Sequence, residues 1–202
     1  ALLVRVEYLA TGLDEKWDRD IEETREEGRR MTRILDTLLN LARSSERGAA
    51  GDPVDVVEVV RGRVEAWSQA TARAGVALVA DEEAPILAVT DRTTLESALD
   101  AVIDNAVKFS PAATRIDVSV TQSPEGCEIV VSDRGPGAEA EELAHLTERF
   151  WRSSRTRSTP GSGLGLAIAT DLLHSIGGRL RVESPEDGGL AVHLRLSSAG
   201  SS

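Results

Sequence analysis

Three short segments limit how the helices and strands of this chain can be arranged. Residues 104–109 (DNAVKF) end an amphipathic stretch shortly before Pro111, and residues 133–137 (DRGPG) follow an apolar run typical of a buried strand. Residues 161–166 (GSGLGL) open a further apolar stretch with the period of a helix. Glycines at such junctions let the backbone turn sharply and approach another group closely. The order therefore predicts a helix, a turn after a strand, and a glycine-rich loop before a second helix.

The composition is that of a soluble folded protein with one globular core and a smaller appended segment. Of the 202 residues, 41% are hydrophobic and 28% are charged, whereas only 3% are aromatic, which predicts an aliphatic core. A net charge of −11 makes a nucleic-acid-binding surface a poor hypothesis. The single cysteine, Cys127, excludes an internal disulfide, and no Cys/His spacing indicates a zinc site. No apolar run approaches the ~20 residues of a membrane span.

Residues 1–45 are predicted to form two helices joined by a short polar connection. Apolar residues of the first helix recur at spacings of four and three, at Leu2, Val6, Leu9 and Leu13. The second helix, residues 18–45, has two interleaved seven-residue repeats: Ile21, Gly28, Leu35 and Ala42, and Thr24, Met31 and Leu38. Such a seam is typical of a coiled coil or a four-helix bundle, although an amphipathic helix packed on the neighbouring domain would also explain it.

The two predicted helices differ in length, about 20 Å for the first and about 40 Å for the second, at about 1.5 Å per residue. Because antiparallel partners normally cover one another, we expect the first helix to continue upstream of Ala1. Residues 46–53 are rich in small residues and form a predicted linker. The fold prediction is therefore α+β: an N-terminal antiparallel helical hairpin (residues 1–45), half of a dimeric four-helix bundle, followed by an α/β sandwich domain (residues 54–202).

Hydrophobic patterns divide the second domain into helices and strands. Helices are predicted at residues 56–74, 91–109 and 164–176, the second with Asp91 as its N-cap. Strands are predicted at residues 76–80, 86–89, 116–120, 129–131, 180–183 and 190–196. A polar, arginine-rich segment fills residues 139–160.

Asn105 and Lys108 are three positions apart on a predicted helix, so they share a face and can address one ligand. An amide oxygen suits Mg²⁺, which takes most of its other ligands from phosphates and water, and an ammonium neutralises phosphate oxygens. Lys108 is one of only two lysines among 23 basic residues, which mildly favours a chemical role. On its own, such a pair is more often part of a solvated surface.

Asp133 precedes a turn made possible by Gly135 and Gly137, and a carboxylate there can accept a hydrogen bond from an exocyclic amine such as that of adenine. An aspartate at a turn is also common without any ligand. Residues 161–165 present backbone N–H groups at the start of a helix, an arrangement that binds phosphate. This loop lacks the Lys-Ser/Thr ending of a Walker loop and lies outside an early βαβ unit, so both of those nucleotide folds are excluded. In this combination and order, the three segments predict ATP binding.

The three segments, together with residues 148–152 (ERFWR), resemble the asparagine box, the two glycine boxes and the phenylalanine box of bacterial sensor histidine kinases. The ATP-binding domain of that family is shared with gyrase, chaperone and mismatch-repair ATPases, and residues 1–45 are similar to its dimerisation and phosphotransfer helices. The resemblance implies a protein-histidine kinase core that uses ATP and Mg²⁺ to phosphorylate a histidine, for relay to an aspartate of a response regulator. It also implies a homodimer through residues 1–45, no nucleic-acid partner, and a cytoplasmic domain of a membrane-anchored bacterial sensor.

The resemblance implies a role for each matching residue. Asn105 would bind Mg²⁺, and Lys108 would contact the phosphates. Phe109 would cover the nucleotide, and Asp133 would bind the adenine amine. The other implied ATP-binding residues are Gly135, Gly137, Arg152, Gly161, Gly163, Leu164 and Gly165.

The segment 138–162 would form a lid that is mobile without nucleotide, in which Arg152 can turn toward phosphate. The chain departs from the family at two positions of the site. The family often has a second asparagine where this chain has Ala101, and a threonine where it has Leu190. These changes remove a polar helper to the metal and a hydroxyl near adenine, and neither alone would abolish nucleotide binding.

The phosphoacceptor is the larger departure. The family's reaction needs a histidine on the first helix, but the histidines of this chain are His145 in the lid, His174 in the helix after the second glycine box, and His193 in the last strand. No catalytic residue is therefore identified in the chain, and the acceptor is expected a couple of helical turns upstream of Ala1. Three alternatives stay open: a serine kinase of the same superfamily, an ATPase of that superfamily, and a non-catalytic, nucleotide-gated dimerisation module.

Overall fold

The computed structural model describes residues 52–80, 84–123, 126–156, 159 and 161–197. The predicted helical hairpin of residues 1–45 and most of the predicted linker lie outside the described residues. Within the described ranges, no helix combines the length and the apolar character that crossing a bilayer requires. The described residues are those of the second predicted domain, preceded by Asp52 and Pro53.

The described residues form four helices, seven strands and a 3₁₀ turn (Ser154–Thr156). The helices are α1 (Val56–Ala74), α2 (Arg92–Phe109), α3 (Ala140–Leu143) and α4 (Gly165–Ser175). The strands are β1 (Asp52–Asp55), β2 (Ala77–Ala80), β3 (Leu87–Thr90), β4 (Arg115–Ser123), β5 (Gly126–Ser132), β6 (Arg179–Glu183) and β7 (Ala191–Ser197). The three long helices and six of the strands lie within a few residues of their predicted bounds, whereas β1, α3 and the 3₁₀ turn were not predicted.

Helix α1 begins and ends where local hydrogen bonds satisfy its terminal groups. The Asp55 carboxylate accepts hydrogen bonds from the N–H groups of Val57 and Glu58, at 3.0 and 3.4 Å, and so caps the helix. At the other end, the N–H of Gly75 donates to the carbonyl of Ala72 at 3.1 Å. The helix buries a valine-rich face: Val56, Val57, Val59 and Val60.

Helix α2 carries the asparagine-containing segment at its C-terminal end. The predicted N-cap is confirmed, since the Asp91 carboxylate accepts a hydrogen bond from the N–H of Thr94 at 2.8 Å. The helix ends because Pro111 lacks an N–H and disfavours helical conformation in the residue before it. One face is buried: Thr94, Leu95, Ala98, Leu99, Val102, Ile103 and Ala106. Asn105 and Lys108 lie off this face and are partly exposed.

A five-stranded mixed sheet forms the second layer, with the strand order β2-β4-β5-β7-β6. Strands β2 and β4 are parallel, and the other neighbouring strands are antiparallel. Strands β1 and β3 form a separate antiparallel pair. Because Ser132 of β5 pairs with Ala191 of β7, the residues that adjoin them, Asp133 and Leu190, are brought together at one edge of the sheet.

The core lies between the sheet and the long helices. Side chains alternate between buried and accessible positions along β4, β5 and β7. The inward side chains of these strands form one hydrophobic cluster with the buried faces of α1, α2 and α4. The described domain is therefore α+β, as the hydrophobic pattern predicted, and its sheet is mixed.

Candidate nucleotide-binding site

The end of α2 presents an amide, an ammonium and an aromatic ring to one region of the surface. Asn105 and Lys108 are both partly exposed on the same flank of the helix. The Lys108 ammonium lies 5.1 Å from the centre of the Phe109 ring. This end of α2 therefore offers a hydrogen-bonding group and a cation side by side.

Asp133 is only 3% exposed, and its position is fixed by the backbone around it. Its Oδ1 atom accepts hydrogen bonds from the N–H groups of Gly135, at 2.7 Å, and Leu190, at 3.2 Å. Burial raises the pKa of this carboxyl, while the two N–H groups and the charge of Arg134 oppose that rise. Within the described ranges no residue donates a hydrogen bond to Oδ2, so this oxygen is the one to which a ligand can donate.

The first glycine loop touches the end of α2. A Cβ atom built on Gly135 would lie 2.9 Å from the carbonyl oxygen of Phe109. A Cβ atom on Gly137 would lie 2.7 Å from Oγ of Ser184, the residue that follows β6. Both positions therefore require glycine because other parts of the chain approach them closely.

The second glycine loop meets the lysine of α2. A Cβ atom built on Gly161 would lie 1.9 Å from Nζ of Lys108, so the ammonium lies directly against the backbone of the loop. Two turns earlier on α2, the carbonyl oxygen of Ala101 would lie 3.7 Å from a Cβ on Gly165, at the start of α4. The asparagine segment and the second glycine loop thus form one continuous surface.

The start of α4 leaves backbone donors available. Leu164 occupies the N-cap position, and its side chain makes no capping hydrogen bond, so the first N–H groups of the helix have no side-chain acceptor there. Gly163, before it, has φ 68°, and a Cβ there would lie 2.4 Å from the carbonyl oxygen of Trp151. The carbonyl of Gly163 accepts a hydrogen bond from the N–H of Phe150 at 2.9 Å, which fastens the phenylalanine-containing segment to the loop.

The Arg152 guanidinium is hydrogen-bonded to the backbone of its own segment in this structure. It donates hydrogen bonds to the carbonyls of Thr156 and Thr159, at 3.1 and 2.6 Å, inside the predicted lid. The predicted contact of Arg152 with phosphate stays a prediction.

The predicted lid is held together by polar contacts that the sequence did not indicate. The hydroxyl of Ser153, 6% exposed, donates to Glu142 of α3 at 2.7 Å. Arg155 forms an ion pair with Glu139 at 2.7 Å. These contacts lower the pKa of Glu142, mainly through the Ser153 hydrogen bond, and they join α3 to the 3₁₀ turn.

The turn between β6 and β7 contributes to the site through backbone contacts with Asp133 that the sequence analysis did not predict. Its Leu190 supplies one of the two donors to Asp133, and the N–H of Asp133 donates to the Leu190 carbonyl at 2.9 Å. Gly189 has φ 83°, and a Cβ there would lie 2.0 Å from the carbonyl oxygen of Asp133. The Gly188-Gly189 pair was the available signal, since adjacent glycines mark a turn in which the backbone approaches another segment.

The structure brings together the three segments that the sequence singled out. The helix start of α4 and the Lys108 ammonium attract an anion, and Oδ2 of Asp133, to which no described residue donates, can accept a hydrogen bond from a neutral donor. A ligand that carries both an anionic group and an amine donor matches this set of groups. A purine nucleotide with an exocyclic amine has that chemistry.

Comparison with known proteins identifies the family of this chain. Residues 90–200 match the family described as histidine kinase-, DNA gyrase B- and HSP90-like ATPases, and the chain belongs to that family. The match spans α2, both glycine loops, the predicted lid and the last strand.

The most similar relatives include named sensor histidine kinases. The signal transduction histidine-protein kinase/phosphatase MprB of Mycolicibacterium vanbaalenii is 36% identical over 180 residues, which are 85% of this chain and 37% of that protein. This chain therefore spans little more than a third of the length of that relative.

Solved structures of sensor histidine kinases have the same fold. The structure of a mycobacterial sensor histidine kinase MprB is 34% identical, with a TM-score of 0.62 over 73% of this chain and 97% of that one. A structure of full-length ShkA in complex with AMPPNP is 25% identical, with a TM-score of 0.66 over 94% of this chain and 41% of that one.

Proposed function

We propose that this chain is the ATP-binding part of a sensor histidine kinase, which binds Mg-ATP and donates the γ-phosphoryl group to a histidine on a dimerisation helix. The observation that carries the proposal is the contact between Lys108 and Gly161, which places an ammonium beside the glycine-rich start of α4. A phosphate chain lying there would meet the ammonium and the uncapped N–H groups together. The ShkA structure with AMPPNP supports nucleotide binding by a protein of the same fold.

Different residues of the site bind different parts of the nucleotide. Oδ2 of Asp133 accepts a hydrogen bond from the adenine amine, and Gly135 lets its loop approach α2. Lys108 and the N–H groups at the start of α4 hold the phosphates, with Gly161, Gly163 and Gly165 keeping side chains out of their way. Phe109, at the end of α2, covers the nucleotide.

The donor set fits a magnesium ion carried by the nucleotide. Within the described ranges there is no cluster of three or more His, Cys, Asp or Glu side chains that would hold a metal by protein ligands alone. Asn105 would supply one amide oxygen, and phosphate oxygens and water would complete the octahedron that Mg²⁺ prefers. When bound, the ion would neutralise charge on the phosphates; Asn105 and Lys108 would orient them toward the acceptor.

The acceptor half of the reaction belongs to the helical part of the protein. We infer that residues 1–45 form the dimerisation and phosphotransfer hairpin, residues 46–53 the linker, and residues 54–202 the ATP-binding domain. The three histidines of the chain, His145, His174 and His193, all belong to the ATP-binding domain, so the acceptor is expected on the hairpin upstream of Ala1. The intact homodimer would pass the phosphoryl group to a response regulator, as the cytoplasmic part of a membrane-anchored sensor.

Calorimetric titration with Mg-ATP tests the binding half of this proposal. Lys108→Met should weaken binding about 10- to 100-fold, the loss expected for one charge-assisted hydrogen bond. Arg92→Met is the matched control, because Arg92 is bound to Glu58 and Glu96 at the other end of α2. Wild-type protein that binds no ATP would contradict the proposal.

Labelling with γ-³²P ATP tests the transfer half, in protein extended upstream of Ala1. An acid-labile, base-stable phosphate in the extended protein, and none in the 202-residue chain, is the expected result. Release of phosphate without labelling would instead favour the ATPase. An acid-stable phosphate on an added protein would favour the serine kinase. Binding of ATP without release or labelling would favour the dimerisation module.

A further inference from the structure

Arg134 lies next to Asp133, and its guanidinium reaches two other parts of the fold. Nη1 is 3.2 Å from Oδ2 of Asp187, in the turn between β6 and β7. Nη2 is 3.4 Å from Oδ2 of Asp117, on β4. One side chain of the first glycine loop thus joins the loop, the sheet and the last turn.

The turn that Arg134 holds is also the turn that orients Asp133. Leu190 exchanges two hydrogen bonds with Asp133, one of them to the carboxylate itself. Gly189 packs so closely against the Asp133 carbonyl that a Cβ atom on it would lie 2.0 Å from the carbonyl oxygen. A displacement of the turn would therefore change the direction in which Oδ2 points.

We propose that Arg134 is a positioning residue for recognition of the nucleotide base, because it ties the β6–β7 turn to β4 and so fixes the orientation of the Asp133 carboxylate. The inference rests on the proposed contact between Asp133 and the adenine amine. The charge of Arg134 acts in the same direction, since it opposes the effect of burial and favours the ionised, hydrogen-bond-accepting form of Asp133.

Arg115 provides a matched comparison within the same cluster. Its Nε atom is 2.7 Å from Oδ1 of Asp117, so it shares this carboxylate with Arg134. Arg115 is on β4, and among the described residues it forms an ion pair only with Asp117. Removing Arg115 therefore removes a comparable charge and ion pair without cutting the tie to the β6–β7 turn.

The experiment measures the preference of the protein for ATP over inosine triphosphate, which lacks the exocyclic amine. The preference is the dissociation constant for inosine triphosphate divided by that for ATP. Arg134→Met should lower this ratio about threefold, the scale of a partly exposed ion pair. Asp187→Asn should lower the ratio by a similar factor, and the double variant should show little further change, because both substitutions remove the same ion pair between Arg134 and Asp187. Arg134→Lys should keep most of the preference, and Arg115→Met should leave it unchanged.

The outcome separates this inference from the proposed function. If Arg134→Met leaves the ratio unchanged, because it weakens the binding of both nucleotides equally or of neither, and Asp133→Asn still removes the preference, the positioning role is overturned and the proposed function is not. A wild-type protein that does not prefer ATP, or an Asp133→Asn variant that keeps the preference, would overturn both. The ratio is the informative quantity because a general loss of stability weakens the two ligands alike.

Discussion

Replacing Gly189 by alanine tests whether the β6–β7 turn determines the position of Asp133. Gly189 has φ 83°, and an added Cβ would lie 2.0 Å from the Asp133 carbonyl oxygen and 2.7 Å from its carbonyl carbon. Both are backbone atoms, so no side-chain rotation can relieve the overlap. The neighbouring Gly188 has φ 93°, yet a Cβ there would meet nothing within 4 Å, which makes Gly188→Ala a matched control.

The two substitutions should differ in their cost to stability. A left-handed conformation costs a non-glycine residue about 1–2 kcal/mol, so Gly188→Ala should lower the free energy of unfolding by that amount. At Gly189 the overlap adds a backbone displacement, at about 1–3 kcal/mol, for a total loss of about 2–5 kcal/mol. The difference between the variants isolates the close approach from the backbone conformation.

Urea denaturation measures the free energies, and calorimetric titration with Mg-ATP at a temperature where both variants are folded measures affinity. Gly189→Ala should weaken ATP binding about tenfold, which corresponds to the loss of one hydrogen bond of about 1.4 kcal/mol. Gly188→Ala should leave the affinity unchanged. Equal losses of stability in the two variants, or ATP affinity retained in Gly189→Ala, would refute the reasoning that this turn supports Asp133.

Three further predictions follow from the contacts and pKa shifts of the site and core. Among the described residues, alanine at Gly161 would overlap the movable end of Lys108, so calorimetry should show ATP affinity reduced about tenfold and urea denaturation an unchanged stability. A large loss of stability at Gly161 would contradict this. Burial raises the pKa of Asp133 in the folded state, so ionisation of this carboxyl lowers the stability of the native protein as pH rises through that pKa. The free energy of unfolding of Asp133→Asn relative to that of wild type should therefore increase with pH. A constant difference in urea titrations from pH 3 upward would be inconsistent with the shift. Burial also raises the pKa of Cys127 from 9.0 to about 11, so at pH 8 its thiol should react with a disulfide reagent at least 100-fold more slowly, as about two pKa units require, than in urea-unfolded protein; equal rates would show an accessible thiol.

The long elements could be predicted from the sequence because their signals are local. Helix α2 has a capping aspartate at its start, a buried face with helical spacing, and Pro111 just after its end, and each signal lies within the element. Strand β1 has no comparable signal, since Val54 is its only buried side chain, and the strand exists because it pairs with β3 more than thirty positions later. Helix α3 has only four residues, which is too short for a helical pattern of apolar residues, and it is held by a hydrogen bond from Ser153 outside it.

The candidate site shows the same division. The glycines of the two loops and the pair Asn105 and Lys108 stand out in the sequence because their spacing suits a nucleotide. The partners of Asp133 do not, because a backbone N–H from any residue type can donate, and Leu190 has no chemical signature of that role. The tie made by Arg134 also depends on strand order, which places the β6–β7 turn beside the loop that follows β5.

The hydrogen bond between the Leu190 N–H and the Asp133 carboxylate joins residues that are 57 positions apart. During synthesis, Asp133 leaves the ribosome well before Leu190, and until then β5 lacks its neighbour β7 and the carboxylate has only the Gly135 donor. The start of α4, where we propose that phosphate binds, is translated earlier than the turn that supports the proposed base-binding carboxylate. A growing chain therefore completes the proposed base-selecting part of the site last, and it should not retain nucleotide on the ribosome before the β6–β7 hairpin has folded.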